Sequence, residues 1–254
     1  MDLIYVKTID GQWYLDIKKS IDINHSRMKM NDRTMKQTFT TTSSTQDATQ
    51  GNGLILIADI SGFTKFVRET DVIEGSKITR ILLSSIMDSN ILHLEVSEIE
   101  GDAIFFYKYG ELPSVCSILK QYELMLDNFN AKLRKIKVHY KKRLELSLKV
   151  IVHVGTMTEY NIGNFKKLYG ESVIEAHRLL KNPIRSKSYV LLTDDLIKTT
   201  LNHYTNDHCV NPNAVMLSES YGTDTTLQFT YYDYEAPTIN NPKLEHTCSN
   251  TQFS

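Results

Sequence analysis

Residues 54–64 read Leu54-Ile55-Leu56-Ile57-Ala58-Asp59-Ile60-Ser61-Gly62-Phe63-Thr64. The unbroken apolar run over residues 54–58 predicts a central strand, paired on both edges and covered on at least one face. Asp59 ends the run, and Gly62 precedes a short helix. Toward the C-terminus, Ile78, Ile81, Leu82, Ser85 and Ile86 fall on one stripe of a second helix. Residues 91–97 and 103–107 are apolar segments flanking Glu98-Ile99-Glu100-Gly101-Asp102, the pattern of a hairpin with acids at its turn. After Pro113, the residues Val115, Ile118, Leu119, Tyr122, Leu126, Phe129 and Leu133 recur at helical spacing and predict a long amphipathic helix.

Further on, Leu144, Leu146, Leu148, Val150, Val152 and Val154 alternate with Glu145, Ser147, Lys149, Ile151 and His153, as in a long strand with one buried face. A helix over residues 171–181 stops at Asn182-Pro183. Residues 189–192 then read as strand, 194–199 as a short helix and 227–234 as a last strand. The order predicts an α+β fold, a mainly antiparallel sheet with helices packed on one face. Upstream of Leu54 the character changes. Two β-rich runs on either side of Asp10-Gly11 predict an N-terminal hairpin within residues 1–19. Residues 20–53 form a polar linker without apolar period. The main domain is expected over 54–236, with a polar tail at 237–254.

The chain has 254 residues, enough for one large domain with an appendage, and its 41% hydrophobic and 23% charged content is that of a globular protein. With 29 Lys and Arg against 30 Asp and Glu, nothing global draws it to nucleic acid or anionic membrane. No apolar run is long enough to cross a bilayer, and no secretory signal is evident at Met1. Cys116, Cys209 and Cys248 are scattered and odd in number, which makes no disulfide framework and suits a cytoplasmic location. His203, His208, Cys209, His246 and Cys248 lack the paired spacing of a zinc site. The basic stretch from Lys132 to Arg143 reads as a solvated helix end rather than a nucleic-acid surface.

Two acids stand at strand ends, Asp59 and Asp102, and adjacent strands could bring them together. Two close carboxylates repel, and a shared proton or divalent cations relieve them. Hard oxygen donors without Cys or His favour Mg²⁺ or Mn²⁺, which take one or two carboxylates plus substrate phosphates. Free N–H groups in the Ser61–Thr64 turn would cradle phosphate at a helix start. Asp beside Gly at a turn also serves purely conformational ends.

These motifs, with the strand ending Val152-His153-Val154-Gly155 and the helix Gly170-Glu171-Ser172-Val173-Ile174-Glu175-Ala176-His177-Arg178-Leu179, occur in the order and approximate spacing of the class III nucleotidyl cyclase catalytic domain, which residues 54–195 resemble. The runs Val96–Ile104 and Ala176–Asn182 look like a bacterial branch of that superfamily catalogued as a domain of unknown function. The resemblance implies a ferredoxin-like core and a head-to-tail homodimer whose two chains share each site. It implies that Asp59, Asp102 and the Ile60 carbonyl hold two ions of Mg²⁺ or Mn²⁺, and that Gly62, Phe63 and Thr64 contact the phosphates. Arg178 would stabilise charge growing on the α-phosphoryl of a nucleoside triphosphate.

Glu98 and Lys167 match the base-specificity positions. A carboxylate accepts from guanine N1–H and its 2-amino group, so Glu98 favours GTP over ATP, and Lys167 could donate to O6. Alternatively the two form a salt bridge that plugs the base pocket. The pattern is also broken. Ile174 stands where an asparagine should orient the ribose, Glu100 replaces an apolar residue, and no lysine-glycine strand follows Leu227. The expected function is a slow cyclase releasing pyrophosphate; the alternative is a catalytically degenerate, dimeric nucleotide-binding or signalling module.

Overall fold

The structure is a computed structural model describing residues 3–9, 12–18, 50–163, 165–203, 214–221 and 225–235. The chain forms two units, Met1–Ser44 and Thr45–Ser254. In the first, β1 (Leu3–Ile9) and β2 (Gln12–Lys18) pair antiparallel from Leu3 opposite Lys18 to Ile9 opposite Gln12, the hairpin expected from the sequence.

The second unit begins with β3 (Gly51–Ser61), α1 (Phe63–Glu69) and α2 (Val72–Met87), followed by β4 (Glu95–Glu100), β5 (Ala103–Tyr109) and α3 (Val115–Tyr140). Then come β6 (Ser147–Ile162), β7 (Phe165–Tyr169), α4 (Glu171–Leu179), β8 (Tyr189–Thr193), α5 (Asp194–His203), β9 (Ala214–Tyr221) and β10 (Thr225–Asp233). The sheet order is β4-β5-β3-β6-β8-β10-β9, with β7 paired to the far end of β6. Its pairings are antiparallel except β6 with β8. It is the mainly antiparallel α+β sheet with packed helices that the sequence predicts.

The apolar run of β3 lies between β5 and β6, and its alternation sorts two cores. Leu54, Leu56, Ala58 and Ile60 enter a large core with Ile78 and Leu82 of α2 and Ile118, Tyr122 and Phe129 of α3. Ile55 and Ile57 point the other way, into a smaller core with Phe105, Met157 and Ala176 of α4. The helices are thus not all on one face, as the sequence suggested: α4 covers the opposite side. For the same reason β6 is buried on both faces, with Val150, Ile151 and Val152 all at 0% exposure. Asp59 continues the phase of Ile55 and Ile57, and so stands on the α4 side.

Helix starts follow local chemistry. The Asp71 carboxylate accepts from the N–H groups of Ile73 (3.0 Å) and Glu74 (3.1 Å), and Ser114 caps α3 through the Ser117 N–H. The expected strand over 91–97 begins only at Glu95. Ahead of it, the Asn90 side chain bonds the Leu94 carbonyl at 2.8 Å and the Leu94 N–H at 3.1 Å, replacing ladder partners with a local loop. Cys116, in the first turn of α3, is disulfide-bonded. This departs from the reading of scattered thiols, because spacing along a chain does not report which cysteines folding brings together. Most of the histidine and cysteine group weighed for zinc lies outside the described residues. At the end of the basic stretch, Lys142 pairs with Glu74 at 2.6 Å and Arg143 with Glu145 at 3.3 Å.

Candidate functional site

Asp59 lies near the end of β3 on the α4 side, opposite Ala103 of β5 and Lys149 of β6. Asp102 sits in the turn joining β4 to β5, where Gly101 takes a left-handed φ of 60° that suits glycine. The Asp102 carbonyl accepts the Ile60 N–H at 3.2 Å, which fixes the turn against the end of β3. The two carboxyl groups meet there. Burial, then the neighbouring Asp59 charge and a side-chain hydrogen bond with it, push the Asp102 carboxyl up to about 6; its own backbone hydrogen bond and Lys149 oppose the rise.

Lys149 is the group that sequence reasoning missed. Its Nζ lies 3.2 Å from Asp59 Oδ2, with the two side chains 19% and 17% exposed. The signal was present in the alternation of β6, where Lys149 shares the phase of Ile151 and His153, but only the strand register shows that this phase faces Asp59. The donor set suits a hard cation. Two carboxylates converge, and among the described residues no cluster of three or more His, Cys, Asp or Glu side chains forms. Two carboxylates are the hard oxygen donors that Mg²⁺ or Mn²⁺ takes alongside water or phosphate.

The remaining expected site residues fall in three places. Beside the acids, Gly62 has φ 86° and opens α1; a Cβ there would lie 2.4 Å from the Glu145 carbonyl, so only glycine fits. Phe63 is half-buried against the large core and packs on Phe66 at 5.7 Å, Thr64 is exposed, and Ile60 buries its side chain. In the second place, Lys167 of β7 forms an ion pair with Glu98 of β4. This is the salt bridge weighed above, and the bond to Glu98 pushes the lysine up. Alongside, Lys166 bonds Glu159 at 2.9 Å and the Tyr107 hydroxyl at 3.1 Å, tying β7 over the sheet.

The third place is Arg178, exposed on the last turn of α4, beside a cavity of about 350 Å³ lined by Leu168, Tyr169, Glu171, Val173 and Ile174. Neither acid of the Asp59–Asp102 pair lines that cavity. Ile174, where an amide was expected, is 52% exposed. Helix α4 itself is rigidly seated. His153 is 1% exposed and spans Thr193 Oγ1 (3.1 Å) and Glu175 Oε2 (3.0 Å), while His177 stacks on Phe105 at 4.5 Å. Burial lowers the His153 pKa, against the opposing pull of Glu175. A Cβ on Gly155 would come within 2.6 Å of Ser172, so helix and strand backbones are in near contact.

Residues 79–189 match the family described as "Protein of unknown function (DUF2652)". Over 120 residues, 44% of this chain, the sequence is 30% identical to "Uncharacterized protein Rv2561/Rv2562" of Mycobacterium tuberculosis (strain ATCC 25618 / H37Rv), and the match spans 56% of that protein's length. Among solved structures, the guanylyl cyclase Cya2 superposes with a TM-score of 0.57 at 13% identity, over 72% of this chain and 92% of that one. The adenylyl cyclase CyaB from P. aeruginosa gives 0.51 at 14% identity, over 73% and 95% of the two chains. The catalytic core of a rhodopsin-guanylyl cyclase with converted specificity, in complex with ATPαS, gives 0.51 at 13%, over 74% and 98%. At these identities the likeness is one of fold: the second unit has the architecture of adenylyl and guanylyl cyclase domains. No described helix is long and apolar enough to cross a membrane.

Proposed function

We propose that this chain is a class III nucleotidyl cyclase-like protein that converts a nucleoside triphosphate, GTP in preference to ATP, to its 3′,5′-cyclic nucleotide and pyrophosphate. The observation that carries the reading is the convergence of Asp59 and Asp102, with the Asp102 carboxyl lifted to about 6, on a cyclase-type fold. Asp59, Asp102 and the Ile60 carbonyl would hold Mg²⁺ or Mn²⁺, two ions per site, which when bound activate the ribose 3′-hydroxyl and neutralise the triphosphate. The backbone of Gly62, Phe63 and Thr64 contacts the phosphates. Arg178, supplied by a second copy in a head-to-tail homodimer, presents its planar fork to charge developing on the α-phosphoryl. Glu98 accepts from guanine once Lys167 turns from it toward O6.

Turnover is slow on this account. Ile174 offers the ribose no hydrogen bond, and losing one positioned donor costs on the order of 10²-fold. Incubation with Mn²⁺ and each of the four nucleoside triphosphates, read by mass spectrometry, tests the reading. Cyclic GMP should exceed cyclic AMP, and Asp59→Ala should abolish both. Absence of any cyclic product from a dimer that binds Mn²⁺ would overturn it. One observation favours a second reading, a non-catalytic nucleotide-binding or signalling module: Glu98 and Lys167, the residues proposed to read the base, are paired with each other.

A further inference from the structure

The ion pair at Asp59 concerns a residue to which none of the roles above is given. Lys149 reaches Asp59 from the strand opposite, at 3.2 Å, with both side chains less than one-fifth exposed. Among the described residues, Lys65 and Arg143 pair with Glu145 and Lys167 with Glu98, while Lys149 is the cation that pairs with Asp59. Lys149 is therefore the ammonium that answers the acid pair. Its backbone is fixed, because β6 is hydrogen-bonded to β3 on one side and β8 on the other. Only the side chain can withdraw.

From this geometry we infer that Lys149 is a tethered counter-ion, whose ammonium and a divalent cation are alternative partners of Asp59. The inference rests on the reading of Asp59 and Asp102 as a cation-binding pair. Without metal, the lysine supplies the positive charge that two facing carboxylates need, and the site stays assembled. When metal binds, it must displace a partly desolvated ammonium and then tolerate a like charge a few ångströms away. Lys149 thus sets a ceiling on metal affinity and makes the metal-free site a defined state.

The test is Mn²⁺ affinity without nucleotide, measured by water-proton relaxation enhancement, with Asp59→Asn as the blank for adventitious binding. Lys149→Met and Lys149→Gln should each bind Mn²⁺ about five- to tenfold more tightly than wild type, the scale of one partly solvated ion pair. Lys149→Arg, which keeps the charge and adds a bidentate fork, should bind no more tightly than wild type. Melting provides a second readout: saturating Mn²⁺ should raise the Tm of Lys149→Gln more than that of wild type. Unchanged or weaker Mn²⁺ affinity in both neutral variants, with wild type binding above the blank, would overturn the inference and leave the cation site standing. Wild type indistinguishable from Asp59→Asn would overturn both.

Discussion

Replacing Asp102 by asparagine keeps the shape of the side chain and removes the charge that Asp59 opposes, and it should stabilise the metal-free protein in a pH-dependent way. The Asp102 carboxyl is raised from its ordinary 3.8 to about 6, by burial first and Asp59 second. A carboxyl whose folded pKa exceeds its unfolded value binds its proton more tightly in the native state. Between about pH 4 and pH 6 the native state therefore holds more proton than the unfolded one, and stability falls as pH rises through that window. At about 1.4 kcal/mol per pKa unit the upper bound is about 3 kcal/mol. Because the group is only half-buried, screening reduces this to about 1–2 kcal/mol.

Urea denaturation of wild type and Asp102→Asn at pH 4 and pH 7.5, with chelator present, reads the effect of the acid pair, since titrating groups remote from Asp102 cancel in the difference. Asparagine should be more stable by about 1–2 kcal/mol at pH 7.5, a Tm gain of roughly 2–8 °C, and nearly neutral at pH 4. A pH-independent difference, or a loss of stability at pH 7.5, would refute the claim that the two carboxylates strain each other in the native fold.

Three further outcomes follow from the same geometry. Gly62→Ala should cost at least about 2 kcal/mol by chemical denaturation, because a Cβ would meet the Glu145 carbonyl at 2.4 Å at a left-handed φ; a neutral effect would show that the turn relaxes freely. His153→Ala should cost about 2–4 kcal/mol, since it leaves a cavity and strips Glu175 of its partner, and hydrogen exchange should speed up first in α4; uniform loss of protection would refute the anchoring role. Lys167→Ala removes the donor proposed for guanine O6, so GTP binding by calorimetry should weaken relative to ATP; an unchanged ratio would remove this residue from base reading.

Much of the architecture was legible because it follows from local periodicity. The run over 54–58 reads as a central strand covered on at least one face, and the helical stripes of α2 and α3 report a buried side directly. That periodicity does not say which side of a sheet a helix takes, so α4 on the opposite face was out of reach of its own stripe. Two strands were missed for a related reason. Most of β7 and nearly all of β9 stay solvent-accessible, so neither shows an apolar alternation, and each owes its form to pairing with β6 or β10. Asp59 and Asp102 were visible as acids at strand ends, whereas their meeting needed the β3–β5 register. Lys149 needed the β3–β6 register as well, which a single strand's sequence does not contain. The Glu98–Lys167 contact was foreseen as one of two arrangements, and sequence could not choose between them because it depends on how β7 folds back over β4.

Diffraction from crystals equilibrated with Mn²⁺, recorded at the manganese absorption edge, bears most directly on the claim that Asp59 and Asp102 form a divalent-cation site. The account predicts an anomalous peak between the two side chains, with carboxylate oxygens at about 2–2.5 Å and the Lys149 ammonium withdrawn from Asp59. Manganese bound elsewhere with the Asp59–Lys149 pair intact, or no peak at saturating Mn²⁺, would contradict it.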